Sequence, residues 1–287
     1  FSGYSDMAIG LARMFGIKLP INFHSPYKAL NIIEFWRNWH ITLSRFLRNY
    51  LYIPLGGNRN GKIRRYLNIL VVMLIGGIWH GAGWNFAIWG GLHGLFLIIN
   101  HMWQNFYIIK GYSFGEYIIC IWFSRLLTFF AVTIAWVFFR SENFNDAICM
   151  IEAMIGLNGI FIPNYLENFS NNVVIRLFDI GVMLGDLSII NITNMISILV
   201  LFFIIWFCPN SHELLVKNKP ALDFPSQHLI QNLKYGFNSK KIKYIIYRLN
   251  DYPRELLICF YSGTIVVGTL LGIYRGELST EFIYFIF

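Results

Sequence analysis

Residues 76–94 constrain this chain more than any other stretch. They read Gly-Gly-Ile-Trp-His-Gly-Ala-Gly-Trp-Asn-Phe-Ala-Ile-Trp-Gly-Gly-Leu-His-Gly. Seven glycines, three tryptophans and two histidines lie there inside apolar sequence. An imidazole at membrane depth is costly, so it turns toward protein or a wet cavity and marks a candidate functional site. Glycines let two helix backbones approach closely enough to enclose such a group. The stretch calls for helices packed through glycine, with His80 among them.

Composition supplies the surroundings. Of 287 residues, 56% are hydrophobic and 13% charged, against about 25% charged in an ordinary soluble domain. Apolar runs fall at 66–79, 86–103, 117–139, 173–190, 192–207 and 256–273. A membrane-spanning helix needs about 20 such residues, so five or six spans are expected. The run at 173–190 is the weakest, being interrupted by Arg176, Asp179 and Asp186. The expected class is an all-α polytopic membrane protein.

The net charge of +8 is unevenly spread. Between positions 13 and 65 stand ten cations (Arg13, Lys18, Lys28, Arg37, Arg45, Arg48, Arg59, Lys62, Arg64, Arg65) and one acid, Glu34. They alternate with Trp, Phe, Leu and Ile beside hydrophobic spans. This favours a cytoplasmic membrane surface over nucleic acid. Residues 27–56 have the periodicity of one amphipathic interfacial helix ended by Pro54 and Gly56-Gly57, and 58–65 read as a basic loop. Residues 209–255 form a second polar, cytoplasmic loop, and 277–287 an aromatic interfacial tail. At the other end, 2–6 are a polar turn before an apolar run, with Asp6 suited to an N-cap.

Gly56-Gly57-Asn58-Arg59-Asn60-Gly61-Lys62 fits GxxxxGK. Ile63 follows where a phosphate loop needs Ser or Thr, and no strand precedes it. There is no GxSxG elbow and no HExxH. Cys120, Cys149, Cys208 and Cys259 are scattered and read as apolar fillers. Of seven histidines, His212 and His228 belong to the polar loop and read as solvated. His24 lies in a turn, His101 reads as interfacial, and His93 as a structural cross-helix hydrogen bonder. His40 and His80, each preceded by Trp, remain. A neutral imidazole at either place is suited to take a proton from a hydroxyl attacking an acyl carbonyl. Two buried structural histidines would look the same.

At these residues the chain resembles the membrane-bound O-acyltransferases, within them the alginate O-acetyltransferase branch. The matching text is Phe1-Ser2-Gly3-Tyr4-Ser5-Asp6, Glu34-Phe35-Trp36-Arg37-Asn38-Trp39-His40-Ile41-Thr42-Leu43-Ser44, Tyr50-Leu51-Tyr52-Ile53-Pro54-Leu55-Gly56-Gly57-Asn58-Arg59 and Gly77-Ile78-Trp79-His80-Gly81. Trp136-Val137-Phe138-Phe139-Arg140, Gly156-Leu157-Asn158-Gly159 and Phe282-Ile283-Tyr284-Phe285 also fit.

The resemblance implies a helical ring with interfacial and re-entrant helices, here incomplete at the N-terminus. The chain opens on Phe1 without a signal peptide of its own and is expected to be the C-terminal half to two-thirds of a family member. Residues 1–287 would be one partial acyltransferase domain. Within it, 24–66 would be a cytoplasmic-side segment, 67–139 the catalytic-core helices and 209–255 a polar cytoplasmic loop. By the resemblance, His80 matches the catalytic histidine and His40 the second family histidine. Trp36, Arg37, Asn38, Trp39, Trp79, Trp84 and Asn85 are candidate passage lining. Arg45, Arg48, Arg59, Lys62, Arg64 and Arg65 are candidates for attracting an anionic donor, or equally for topology and lipid headgroups.

The implied reaction moves an acyl group, acetyl by expectation, from a cytoplasmic donor to an extracytoplasmic hydroxyl of an envelope polysaccharide. Acetyl-coenzyme A or another acyl donor is a substrate, and no bound cofactor or metal is expected. The partners implied are the lipid bilayer, a cytoplasmic donor or carrier and a secreted or membrane-anchored acetyltransferase, with no nucleic acid. The implied place is a bacterial cytoplasmic membrane. D-alanyl transfer within the same family is the nearest alternative. A proton-relaying transporter or a non-catalytic scaffold are the alternatives from other classes.

Overall fold

The computed structural model describes residues 1–110, 118–158, 160–163, 182–185, 192–215 and 221–222. Its helices, in chain order, are α1 (Ser2–Met14), α2 (Ile32–Asn38), α3 (Ile41–Phe46), α4 (Gly61–His80), α5 (Trp84–Lys110), α6 (Ile118–Arg140), α7 (Phe144–Met154), α8 (Ile192–Phe207) and α9 (Ser211–Leu214). A π-helical turn, Leu47–Tyr52, continues α3, and a 3₁₀ turn, Pro26–Lys28, precedes α2. Two short strands, β1 (Ile160–Pro163) and β2 (Val182–Gly185), pair in parallel with Ile160 opposite Val182. The helical class holds, with this strand pair as a departure. Residues 182–185 therefore interrupt the span expected at 173–190. The expected span at 256–273, the tail at 277–287, Cys259 and His228 lie outside the described residues.

The α4–α5 hairpin is the spine, turned by only Gly81, Ala82 and Gly83. A connection that short makes the two helices antiparallel neighbours. Glycine sets how close they come. A Cβ added at Gly77 would run into the Phe86 carbonyl oxygen and stand 3.1 Å from Gly90 Cα. One added at Gly90 would run into the Met73 carbonyl oxygen. Both positions need a missing side chain for backbone to meet backbone.

α2 nucleates from its own sequence. Asn31 caps it, its side-chain oxygen accepting from the Glu34 N–H at 2.9 Å, while Glu34 Oε2 accepts from the Leu30 N–H at 2.9 Å. Its buried residues, Ile32, Phe35 and Trp36, join Ile69, Met73, Trp89, Val132, Ala135 and Phe138 in the main core. That core lies between α2, α4, α5, α6 and α7.

The single helix expected over 27–56 is broken in two at Trp39-His40. Residues 22–24 cause the break. Asn22 O accepts from Ile41 N–H and His24 N–H donates to Asn38 O, both at 3.0 Å. Asn22 Oδ1 also accepts from Thr42 Oγ1 at 2.6 Å. The chain bends by placing His40 at φ 42°, in the left-handed region that a side-chain-bearing residue rarely adopts. The basic loop expected at 58–65 is half helix, since α4 starts at Gly61.

Two further expectations change. Asp6 lies inside α1 rather than capping it. It accepts from Ser211 Oγ at 2.6 Å and pairs with His212 Nε2 at 3.0 Å. His212 is buried rather than solvated. Asn210 completes the clasp by donating to Ser25 Oγ at 2.7 Å. This fixes α9 to the start of the chain across some two hundred residues of sequence.

Among the described residues one helix, Ile119–Arg140, is long and apolar enough to cross a membrane, and Met195–Phe207 is shorter. Both expose large apolar side chains, including Phe123, Leu127, Leu199 and Phe203.

Candidate active site

His80 is the last residue of α4, where the helix gives way to Gly81. Three aromatic rings surround its imidazole. Trp79 is 4.9 Å away by ring centroids, Trp89 5.3 Å at 90° and Phe139 5.2 Å at 78°. Trp89 is 2% exposed. Trp36 (5.9 Å), Trp136 (5.8 Å), Phe139 (5.1 Å) and His93 (4.9 Å) in turn pack around it. Edge-to-face contacts of this kind each stabilise by about 0.5–1.5 kcal/mol beyond area burial. The result is a fixed, dry wall on one side of a half-buried imidazole.

His40 comes from the bend between α2 and α3. Phe1 lies edge-on to it at 4.8 Å, and Phe23 lies tilted to it at 6.4 Å. Its Nδ1 is buried with no hydrogen-bond partner outside its own residue. Burial, then the neighbouring His80, pushes its pKa down from 6.5 to about 4. Two histidines 40 residues apart in sequence thus lie within electrostatic reach of one another, and burial holds His40 neutral at physiological pH.

His93 does what the sequence suggested for it. It is fully buried, its Nδ1 accepts the Trp36 indole N–H at 3.2 Å, and its ring stacks on Phe35. The acceptor role puts the proton on Nε2, which has no partner. This bond ties α2, and hence the bend carrying His40, to α5, the helix whose Trp89 faces His80.

The other expected residues divide. Trp36 and Trp39 sit in the aromatic cluster, with Trp39 stacked on Phe35 at 5.5 Å and tilted on Trp136 at 5.0 Å. Asn38 is committed to the Glu34 carbonyl at 3.0 Å. Asn85 is buried and donates to Ser141 O at 2.9 Å, while its Oδ1 has no partner. Trp79 is 60% and Trp84 82% exposed, so neither is enclosed among the described residues. Arg37 is exposed at the end of α2, and Arg45, Arg48, Arg59, Lys62 and Arg64 are exposed, whereas Arg65 is half-buried. Residues 56–62, which mimic a phosphate loop, follow a π-helical turn and not a strand. Among the described residues no three His, Cys, Asp or Glu side chains gather as metal ligands.

Sequence reading gave Trp136 and Phe139 only as family-matching text and did not single out Trp89. The signal for Trp89 was present: it stands four residues before His93 and four after Asn85, on one face of α5. Phe139 reaches His80 only because α6 docks there, and Trp136 packs on Trp89 behind it.

The model of the membrane-bound O-acyltransferase family matches residues 1–142, which include both histidines and their aromatic wall. The chain is 46% identical over 220 residues to a peptidoglycan O-acetyltransferase of Helicobacter pylori, covering 76% of this chain and 40% of that relative. It is 51% identical over 155 residues to a probable alginate O-acetylase AlgI of Pseudomonas syringae, 54% of this chain and 28% of the relative. It is 36% identical over 110 residues to a teichoic acid D-alanyltransferase of Streptococcus thermophilus, 36% of this chain and 26% of the relative. The chain spans less than half the length of each. With the motif-bearing half matched and the ordered motifs in place, the chain belongs to the membrane-bound O-acyltransferase family.

Proposed function

We propose that this chain carries the transfer site of a multi-pass bacterial membrane enzyme that moves an acetyl group from a cytoplasmic donor to a hydroxyl of a cell-envelope polysaccharide. The observation that carries the reading is His80 held against Trp89 and Phe139, with His40 near enough for His80 to bear on its charge. His80 Nε2 or Nδ1 takes the proton of the attacking hydroxyl. The new C–O bond forms at the acyl carbonyl, the bond to the donor's leaving group breaks, and the imidazolium returns the proton to that leaving group. His40, kept neutral, serves the donor side as a hydrogen-bonding group. The orphaned His40 Nδ1 and Asn85 Oδ1 support a polar ligand here, since buried polar atoms are normally satisfied. Trp36 and Trp39 shape the passage.

In this reading 24–66 faces the cytoplasm, 67–139 forms the core and the basic side chains draw in an anionic donor. An acetyltransferase of the extracytoplasmic side would complete the transfer. The greater share of the chain matched by the peptidoglycan relative supports that polymer over alginate. A second reading, D-alanyl transfer, is supported by the shorter matches to teichoic acid D-alanyltransferases. Replacing His80 by Ala in a strain that makes the protein decides between them. Loss of acetate released from envelope polymer by mild base, at unchanged protein abundance, is the expected result. Loss of alanine ester instead would select the second reading. Unchanged ester content would overturn the role of His80 and favour a scaffold.

A further inference from the structure

The far end of the α4–α5 hairpin holds a cluster that the chemistry at His80 does not use. Arg65, in the second turn of α4, places Nη2 2.7 Å from His101 Nδ1 on α5. A guanidinium has no acceptor, so it donates, and His101 keeps its own proton on Nε2. Arg37, at the end of α2, brings a second positive charge to bear on the same imidazole. Among the described residues neither arginine has a carboxylate at ion-pair distance. α2 is tied to α5 through Trp36 and His93, so three elements bring cationic and donor groups to this region, with no carboxylate paired to either arginine among the described residues. Arg37 is exposed and Arg65 half-buried, so the cluster is open to a ligand.

The donor set suits one chemistry. Guanidinium forks match the oxygen spacing of phosphate and bind it bidentately, and the His101 Nε2–H is a further donor. Placement adds to this. From Arg65 to His80 is 15 residues of unbroken helix, about 22 Å at 1.5 Å per residue. A phosphopantetheine arm, with phosphate at one end and thioester at the other, bridges a gap of that kind.

We propose that Arg37, Arg65 and His101 form a phosphate-binding site. Its occupant is the phosphate of the acyl donor, a step that rests on the transfer reading above, or the headgroup of an anionic lipid. The test uses the full chain with His80→Ala, so that binding is read without turnover and stands whether or not acetyl transfer is confirmed. In phosphatidylcholine nanodiscs, titration with coenzyme A should give a Kd that rises about tenfold in Arg65→Gln and in Arg37→Gln. Arg65→Lys, which keeps charge but loses the fork, should fall between. In nanodiscs doped with phosphatidylglycerol, native mass spectrometry counts the lipid retained by the same variants. Weakened coenzyme A binding assigns the site to the donor, and lost phosphatidylglycerol retention assigns it to the headgroup. Either outcome supports a phosphate site. Unchanged binding of both probes in monodisperse Arg37→Gln protein, a substitution at an exposed position, overturns it.

Discussion

The two ends of the α4–α5 hairpin are built from opposite materials. At the His80 end, backbone meets backbone through Gly77 and Gly90, and aromatic rings close around an imidazole. At the Arg65 end the contact is between long polar side chains, with His101 accepting from a guanidinium. Glycine packing fixes geometry to tenths of an ångström, whereas an arginine fork adapts to what it binds. In the proposed reading, one hairpin thus offers a rigid place for proton transfer and a compliant place for a charged group. A single substitution can separate the two.

The largest effect is expected from His80→Ala, which should lower acyl transfer by roughly 10²–10⁴-fold, the range lost with a general base, while leaving phosphate binding at the far end intact. Turnover assays paired with coenzyme A titration check it. Gly77→Ala should instead damage both ends, because the added methyl drives into the Phe86 carbonyl. A loss of about 1–3 kcal/mol is expected, read as a lower melting temperature with weaker binding and turnover together. Gly83→Ala is its control, since an added Cβ there meets nothing closer than Phe86 Cδ2 at 3.7 Å.

Trp36→Phe removes the indole N–H to His93 and shrinks a buried ring. The expected cost is about 1–3 kcal/mol, because the buried His93 Nδ1 loses its donor, with turnover reduced more than stability if that bond positions the His40 bend. Smallest is Asp6→Asn at the α1–α9 clasp, about 0.5–1 kcal/mol for a partly exposed pair. Burial raises the Asp6 pKa, but hydrogen bonds from His212 and Ser211 and the His212 charge outweigh it and leave the value below 3.8. The Asp6 contribution to the clasp is therefore present above pH 3.8 and is lost as pH falls through the lowered value. The Asn variant should flatten that acid limb of a melting-temperature profile.

Much of this was legible in the residues. The apolar runs at 66–79, 86–103 and 117–139 foretold α4, α5 and α6, because a helix shows its period locally, although α4 starts five residues earlier and α5 ends seven later. His40 and His80 stood out because imidazoles next to tryptophan in apolar sequence are chemically conspicuous. The bend at His40 did not stand out. Residues 32–52 have unbroken helical periodicity, and only Asn22, far back in the chain, diverts the hydrogen bonds that would have continued the helix. His212 looked solvated for the same reason, its partner Asp6 being more than two hundred positions away.

The sequence by itself determined the helical class and the glycine-lined hairpin and singled out two histidines as candidates, since these follow from composition and short-range spacing. Only the tertiary structure decided that Trp89 and Phe139 meet His80 with Trp136 behind them, that His93 holds Trp36, and that Arg65 reaches His101. Those contacts join positions tens of residues apart, and no local period records which distant face a side chain will meet once helices pack.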